Sequence, residues 1–159
     1  DGQWVATGTW HGRGVRISRT ADGRLDRELP VESSATVAFS PDGRWLVVGE
    51  GDRFRFFETG SWAPRHSVER EGNGDWPGSL AFSPDGTLLD LTESLHEIRL
   101  VLPGTGEEIA SFEDPDHEML DVDEFSADGS LLALRGEGVV RILDLRRIRS
   151  RLAAMGIDW

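Results

Sequence analysis

At 159 residues the chain is sized for one domain, and 38% hydrophobic with 29% charged residues is the composition of a folding, globular protein. Its 17 basic residues, all arginine, stand against 29 acidic ones, and the formal charge of −12 opposes sequence-independent binding to phosphate backbones. No apolar run reaches the ~18 residues of a membrane helix, and the lack of cysteine excludes disulfides, thiolate metal sites and cysteine nucleophiles.

In chain order, Asp1-Gly2 leads into Trp4-Val5-Ala6, the Gly12-Arg13-Gly14 turn, the alternating Val15-Arg16-Ile17 and a further stretch from Arg24 to Leu29. The next unit opens with Ala38-Phe39-Ser40-Pro41-Asp42-Gly43, followed by Trp45-Leu46-Val47-Val48, Phe54-Arg55-Phe56 and Pro64 to Val68. After 43 residues the opening returns as Ala81-Phe82-Ser83-Pro84-Asp85-Gly86, with Leu88-Leu89-Asp90-Leu91, Ile98-Arg99-Leu100 and Glu108 to Phe112 behind it. Another 43 residues bring Glu124-Phe125-Ser126-Ala127-Asp128-Gly129, then Leu131-Leu132-Ala133-Leu134 and Val140-Arg141-Ile142. Alternation of apolar and polar residues with period 2 predicts strands, and each Asp-Gly predicts a tight turn between two of them. Phe39, Asp42, Gly43, Phe82, Asp85, Gly86, Phe125, Asp128 and Gly129 are thus structural repeat positions. Trp4 and Trp45 share a place with Leu88 and Leu131 and are expected in the core.

The expected strands number three, four, four and three. The units are 1–34, truncated by its first strand, 35–77, 78–116, and 117–144, which lacks its outer strand. The chain is therefore expected to open inside a repeat. In the tail, 145–159, Leu145, Ile148, Leu152 and Met155 form one helical stripe, with Asp144 suited to the N-cap and Gly156 to the left-handed position after the last turn. The stripe is expected to pack on the last unit and cover its sheet edge; a basic docking helix is the other reading.

Four-stranded units at a period of ~40 to 45 residues have the form of β-propeller blades. The Phe-Ser-Pro-Asp-Gly turns, the arginine-bearing third strand and the spacing resemble the WD-repeat (WD40) family over essentially the whole chain. The Trp-Asp pair that names the family is replaced by Ser18-Arg19, Phe57-Glu58 and Val101-Leu102 and survives in part as Leu143-Asp144, while His117 lies near the place of the family's histidine. The resemblance implies an all-β fold, a partial β-propeller of about three and a half four-stranded antiparallel blades with a short C-terminal helix. It also implies a non-catalytic scaffold for protein partners. Leu145-Arg146-Arg147-Ile148-Arg149 and Gly156-Ile157-Asp158-Trp159 resemble the C-terminal tails of bacterial WD-repeat proteins of the planctomycete type, where a propeller often follows a serine/threonine protein kinase domain. The implied setting is the C-terminal part of a larger bacterial protein, with the remaining blades of the parent propeller or other proteins as partners.

No catalytic, cofactor-binding or metal-binding residue is expected. His11, His66, His96 and His117 show neither zinc spacing nor a nucleophile elbow, and the glycines of 12–14 and 104–106 join strands rather than leading into a helix N-terminus. The acidic run Glu113-Asp114-Pro115-Asp116-His117-Glu118 lacks calcium-loop spacing and reads as a solvated loop. Asp123 and Glu124 take the places of Val37-Ala38 and Leu80-Ala81, so a donor is expected beside Asp123. In WD-repeat propellers the loops between strands two and three and those joining blades share a face where partners dock. That places Trp10, His11, Arg13, Asp75, Trp76, Asp116 and His117 in a candidate partner-binding patch, because Trp and Arg dominate interface hot spots; alternatively Trp10 and Trp76 tuck over the blade tops. The alternative function is a ligand- or metal-binding sensor or enzyme propeller using carboxylates such as Asp121 and Asp123 near a central channel. The expected location is cytoplasmic, with no contact to nucleic acid or membrane in this segment.

Overall fold

In the computed structural model, residues 2–72 and 76–156 are described, without the side chains of Val122 and Asp123. The Asp-Gly turns repeat almost atom for atom. Ser40, Ser83 and Ser126 each donate their hydroxyl to the aspartate two residues on, at 2.5, 2.7 and 2.7 Å. Each hydroxyl also accepts the backbone N–H of Trp45, Leu88 or Leu131 at 2.9 Å, while the aspartate accepts the N–H of Arg44, Thr87 or Ser130 at 3.0 Å. Gly43, Gly86 and Gly129 close the turns at φ of 71, 71 and 69°, where a side chain would be strained. The serine and aspartate thus satisfy backbone donors that the turn would otherwise leave unpaired.

These turns set the strand pairing. The first sheet holds β1 (Trp4–Thr7), β2 (Val15–Arg19) and β3 (Leu25–Leu29); the second holds β4 (Thr36–Phe39), β5 (Trp45–Gly49), β6 (Arg53–Glu58) and β7 (Ala63–Glu69). The third holds β8 (Leu80–Phe82), β9 (Leu89–Thr92), β10 (Glu97–Val101) and β11 (Glu108–Glu113); the fourth holds β12 (Asp121–Phe125), β13 (Leu131–Arg135) and β14 (Val140–Asp144), followed by helix α1 (Leu145–Ala154). All pairings are antiparallel between chain neighbours. β1, β4, β8 and β12 lie beside one another in that order, so the sheets succeed each other around a common inner edge. The architecture is the expected all-β partial propeller.

Period-2 alternation gives every sheet two faces. Val15 and Ile17 of the first sheet pack forward on Leu46, Val48 and Phe57 of the second. Val47, Phe54 and Phe56 do the same against Leu89, Leu91 and Val101, and Ile98 and Leu100 against Leu132, Leu134 and Phe125. Full burial of each such side chain contributes about 1.5–3 kcal/mol. Trp4, Trp45 and Leu88 join these three clusters in turn as partly buried members, whereas Leu131 lies on the open forward face of the fourth sheet. There Val140 and Ile142 are 59% and 56% exposed.

The recurring arginine of the third strand faces backward and stitches each sheet to the one before. Arg55 binds Glu50 of its own sheet and donates to the Pro30 carbonyl beyond β3 at 2.6 Å. Arg99 pairs with Glu93 at 2.8 Å and reaches the Glu69 carbonyl at the end of β7 at 3.5 Å. Arg141 holds Asp114, just past β11, at 2.6 Å, and Glu118 at 3.0 Å.

Two expectations change. The ladder of β12 on β13 shifts register between Val122 and Glu124, which sets Val122 opposite Leu134. Val37 faces Val48 and Leu80 faces Leu91 in the same way, so Val122 rather than Asp123 fills their place, and Asp123 is the extra residue of a bulge. The donor expected beside Asp123 falls outside the described side chains. Helix α1 begins as expected, with the Asp144 carboxylate accepting the Arg147 N–H at 2.9 Å and Gly156 at φ 78°. Leu145 and Ile148 pack into the cluster between the third and fourth sheets. Because the helix turns to that side and ends at Ala154, Met155 is exposed and the outward face of β14 stays uncovered.

Candidate interaction face

At the end of the sheets opposite the Asp-Gly turns, hydrogen bonds tie each inter-sheet connection to the hairpin loop of its own sheet. Gly14 N–H donates to Val31 O and Ala35 N–H to Thr9 O; Arg70 N–H donates to Asp52 O; Asp114 and Leu120 N–H donate to His96 O and Leu95 O. Loops 8–14, 30–35, 50–52, 70–72, 76–79, 93–96 and 114–120 therefore form one rim. Between the first and second sheets it holds an open cleft of about 570 Å³, with Glu32, Glu50 and Asp52 facing Arg53 and Arg55.

The candidate residues divide into groups along this rim. Trp10, 66% exposed, meets His11 edge-on at 5.4 Å, and Arg13 pairs with Glu32 at 3.1 Å across the two loops. His11 adopts φ 55° and is held by its backbone N–H, which donates to the Ser34 hydroxyl at 2.9 Å, so its ring is left outward. At the far end of the arc His117, also at positive φ, stands edge-on to His96 at 5.8 Å and lies 3.6 Å from Glu113. The Asp116 N–H donates to the Asp114 carboxylate at 2.7 Å. Asp75 lies outside the described residues.

Trp76 packs against Arg70 instead of projecting. It is half-buried beside Arg70, whose guanidinium stacks on its ring at 5.1 Å and on Phe54 at 5.7 Å. Arg70 donates to the carbonyls of Thr92 at 2.9 Å and Trp76 at 3.1 Å, and more loosely to Glu50 and Gly51 at 3.4 Å each. One buried guanidinium thereby joins the loops of the second sheet to the third. The two indoles expected on one rim thus split: Trp10 projects and Trp76 packs.

Residues 31–54 match the family model of the WD domain, G-beta repeat. The match runs from the connection before β4 into the start of β6, and with the four successive antiparallel sheets it supports a WD-repeat family. A search of the curated proteins finds no match. WD repeats generally act as non-catalytic platforms for protein–protein interaction.

Asp121 is buried and bound by Arg135 at 2.5 Å, and among the described residues no group of three His, Asp or Glu side chains is arranged to hold a metal ion. No helix among them is long and apolar enough to cross a membrane.

Three residues escaped the sequence reading. Arg70 stands between Glu69 and Glu71 as one charge among three after a strand, with nothing in the sequence to mark it as buried. Trp62, at φ 55°, is buried between the first two sheets, edge-on to Trp4 at 5.2 Å, with its indole N–H donating to Asp26 at 2.8 Å. That hydrogen bond, ahead of the opposing burial and the help of Arg19, keeps the Asp26 carboxyl below its ordinary range. Asp90 is fully buried on β9, its carboxyl oxygens make no hydrogen bond among the described residues, and burial pushes its pKa well above the ordinary carboxylate value against a lesser pull from the Leu91 backbone. Only its surroundings reveal it, since its immediate sequence is apolar.

Proposed function

We propose that the chain is a non-catalytic WD-repeat scaffold that presents its loop rim to protein partners, with Trp10, His11 and Arg13 at one end of the contact surface and Asp116 and His117 at the other. The observation that carries this reading is the contrast between Trp76, packed on Arg70, and Trp10, which projects from the same rim. An exposed indole on a loop that also carries an arginine is the composition of an interface hot spot. The resemblance of the tail to those of bacterial WD-repeat proteins supports a setting at the C-terminal end of a larger bacterial protein, with a serine/threonine kinase domain upstream.

The test compares two variants in cross-linking and pull-down from the source cell. Trp10→Ala with Arg13→Ala removes the rim contact, and Arg44→Ala alters the opposite, turn-bearing end. Loss of the same partners from the first variant alone, at unchanged melting temperature, supports the scaffold. Equal retention by both removes the rim from the reading.

A further inference from the structure

Helix α1 carries four arginines and no acidic residue in a chain whose formal charge is −12. The fold divides these arginines into two sets. Leu145 and Ile148 anchor the helix in the cluster between the third and fourth sheets, with Leu152 half-buried on the same stripe. Arg146 is tied to Asp128 at 2.9 Å, and Arg149 is likewise not free. Arg147 and Arg151 differ. Both are exposed, and their guanidinium groups make no ion pair or hydrogen bond among the described residues. Four residues apart, they stand ~6 Å from each other along one helix face. Met155, the C-cap residue, continues the row and is 65% exposed. Helix stability does not account for this pair: Arg151 in the last turn complements the helix dipole, but Arg147 lies in the first turn, where a cation is disfavoured and no acidic residue of the helix offsets it.

We propose that Arg147, Arg151 and Met155 form a docking strip for an acidic amphipathic helix of a partner protein, two carboxylates of which, four residues apart, meet the two guanidinium groups while an apolar side chain one turn further on covers Met155. Charge complementarity defines the occupant. The strip is an unneutralised cationic pair on an acidic molecule, and glutamates at i and i+4 of a helix match its ~6 Å spacing, so that both form charge-assisted hydrogen bonds. A membrane surface is a poorer match. The apolar stripe of α1 is already packed on the sheets, one methionine is too little to enter lipid, and the acidic remainder of the chain is repelled by anionic headgroups. Nucleic acid meets the same repulsion. Because α1 begins at the turn-bearing end, where the Leu145 N–H donates to Ser130 O, the strip is separate from the loop rim and from its proposed role.

The experiment titrates the full chain, by fluorescence anisotropy at low salt, with a synthetic helical peptide of about 18 residues bearing Glu at i and i+4 and Leu at i+8. A second peptide of the same composition disperses these three residues around the helix. Arg147→Gln with Arg151→Gln is compared with Arg24→Gln with Arg27→Gln, which removes the same charge from exposed positions of the first sheet. The patterned peptide is expected to bind the parent chain more tightly than the dispersed one, and the α1 pair of substitutions to weaken it about tenfold, against less than about twofold for the sheet pair. Met155→Ala gives an intermediate loss, and the melting temperature of the α1 double variant stays at that of the parent. Equal affinity for the two peptides, or equal losses from the two variant pairs, overturns the proposal, because the helix then acts through diffuse charge alone. So does a lowered melting temperature of the α1 double variant, which would assign the two arginines to the fold. Binding to phosphatidylserine vesicles or to a single-stranded oligonucleotide that the α1 pair abolishes, with the patterned peptide left unbound, overturns it as well.

Discussion

The interface between the second and third sheets and that between the third and fourth occupy the same backbone frame with opposite chemistry. In the former, Val47, Phe54 and Phe56 fill the forward face, and the buried Arg70 is held by carbonyls through Nε and Nη1 and by two rings, with Nη2 left without a hydrogen-bond partner among the described residues. In the latter, Asp90 takes the place of Val47, opposite Leu100 on β10 and Ala81 on β8, and its oxygens make no hydrogen bond among the described residues. Two buried polar groups a sheet apart thus have opposite consequences. What decides is the supply of partners, because a buried group with most of its hydrogen bonds made fixes geometry while one with none costs its full desolvation.

The largest expected effect breaks the aromatic side of this comparison. Phe56 is fully buried and stacks on His66 at 4.2 Å, so Phe56→Ala should lower unfolding stability by about 3–5 kcal/mol in urea titration. Removing the guanidinium comes next. Arg70→Lys keeps the charge but loses both the fork of donors and the ring stacking, at a cost of about 2 kcal/mol, and the indole fluorescence of Trp76 should shift toward that of an exposed ring.

Asp90 predicts the reverse sign. Asp90→Val, which copies the second sheet, should stabilise the protein by about 1–3 kcal/mol at neutral pH. Because the folded-state pKa is raised, the contribution of Asp90 is fully present below the ordinary carboxylate value and is lost as pH rises toward the folded value. β8 and β10 bring Ala81 and Leu100 opposite Asp90 in the ladder, while the adjacent β12 carries the paired Asp121 and the exposed Glu124. Denaturant midpoints of the parent should therefore fall, relative to those of Asp90→Val, as pH rises above the ordinary carboxylate value of about 4. Parallel curves would show that Asp90 is not held neutral.

These contrasts explain how much was legible in the sequence. The turns were, because their serine, aspartate and glycine act locally and recur at a fixed interval. The arginine of each third strand was visible as a pattern, but its purpose was not, since Pro30, Glu69 and Asp114 belong to the preceding sheet. Asp90 was lost in an apolar run, although its position in the repeat is that of Val47. Trp10 and Trp76 could not be told apart because only the fold brings Arg70 over one of them. At Asp123 the fixed interval itself misled: a one-residue bulge preserves the spacing of the turns while changing which residue faces β13.

The smallest effect lies in the turns and sharpens the pH comparison from the acid side. The Thr87 backbone N–H, followed by the Ser83 and Thr87 hydroxyls, keeps the Asp85 carboxyl below its ordinary value. At Asp42 burial pulls upward, but the Ser40 hydroxyl and the Arg44 N–H outweigh it. A depressed folded-state pKa gives stability that is present above the unfolded value and lost as pH falls through the folded one, opposite to Asp90. Ser83→Ala should cost about 0.5–1.5 kcal/mol at pH 7, since the Leu88 N–H loses its acceptor and Asp85 one of its donors. Below pH 4 the cost should shrink, because protonation of Asp85 in the parent weakens the same hydrogen bond. The variant's loss of stability with acid should be shallower but not abolished, as both Thr87 donors remain. Ser83→Ala and Asp90→Val then act on the stability curve on opposite sides of about pH 4 and with opposite slope, and the double variant should approach a profile set by the remaining turns. An acid limb left unchanged by Ser83→Ala would mean that Asp85 draws its stabilisation from the Thr87 donors alone.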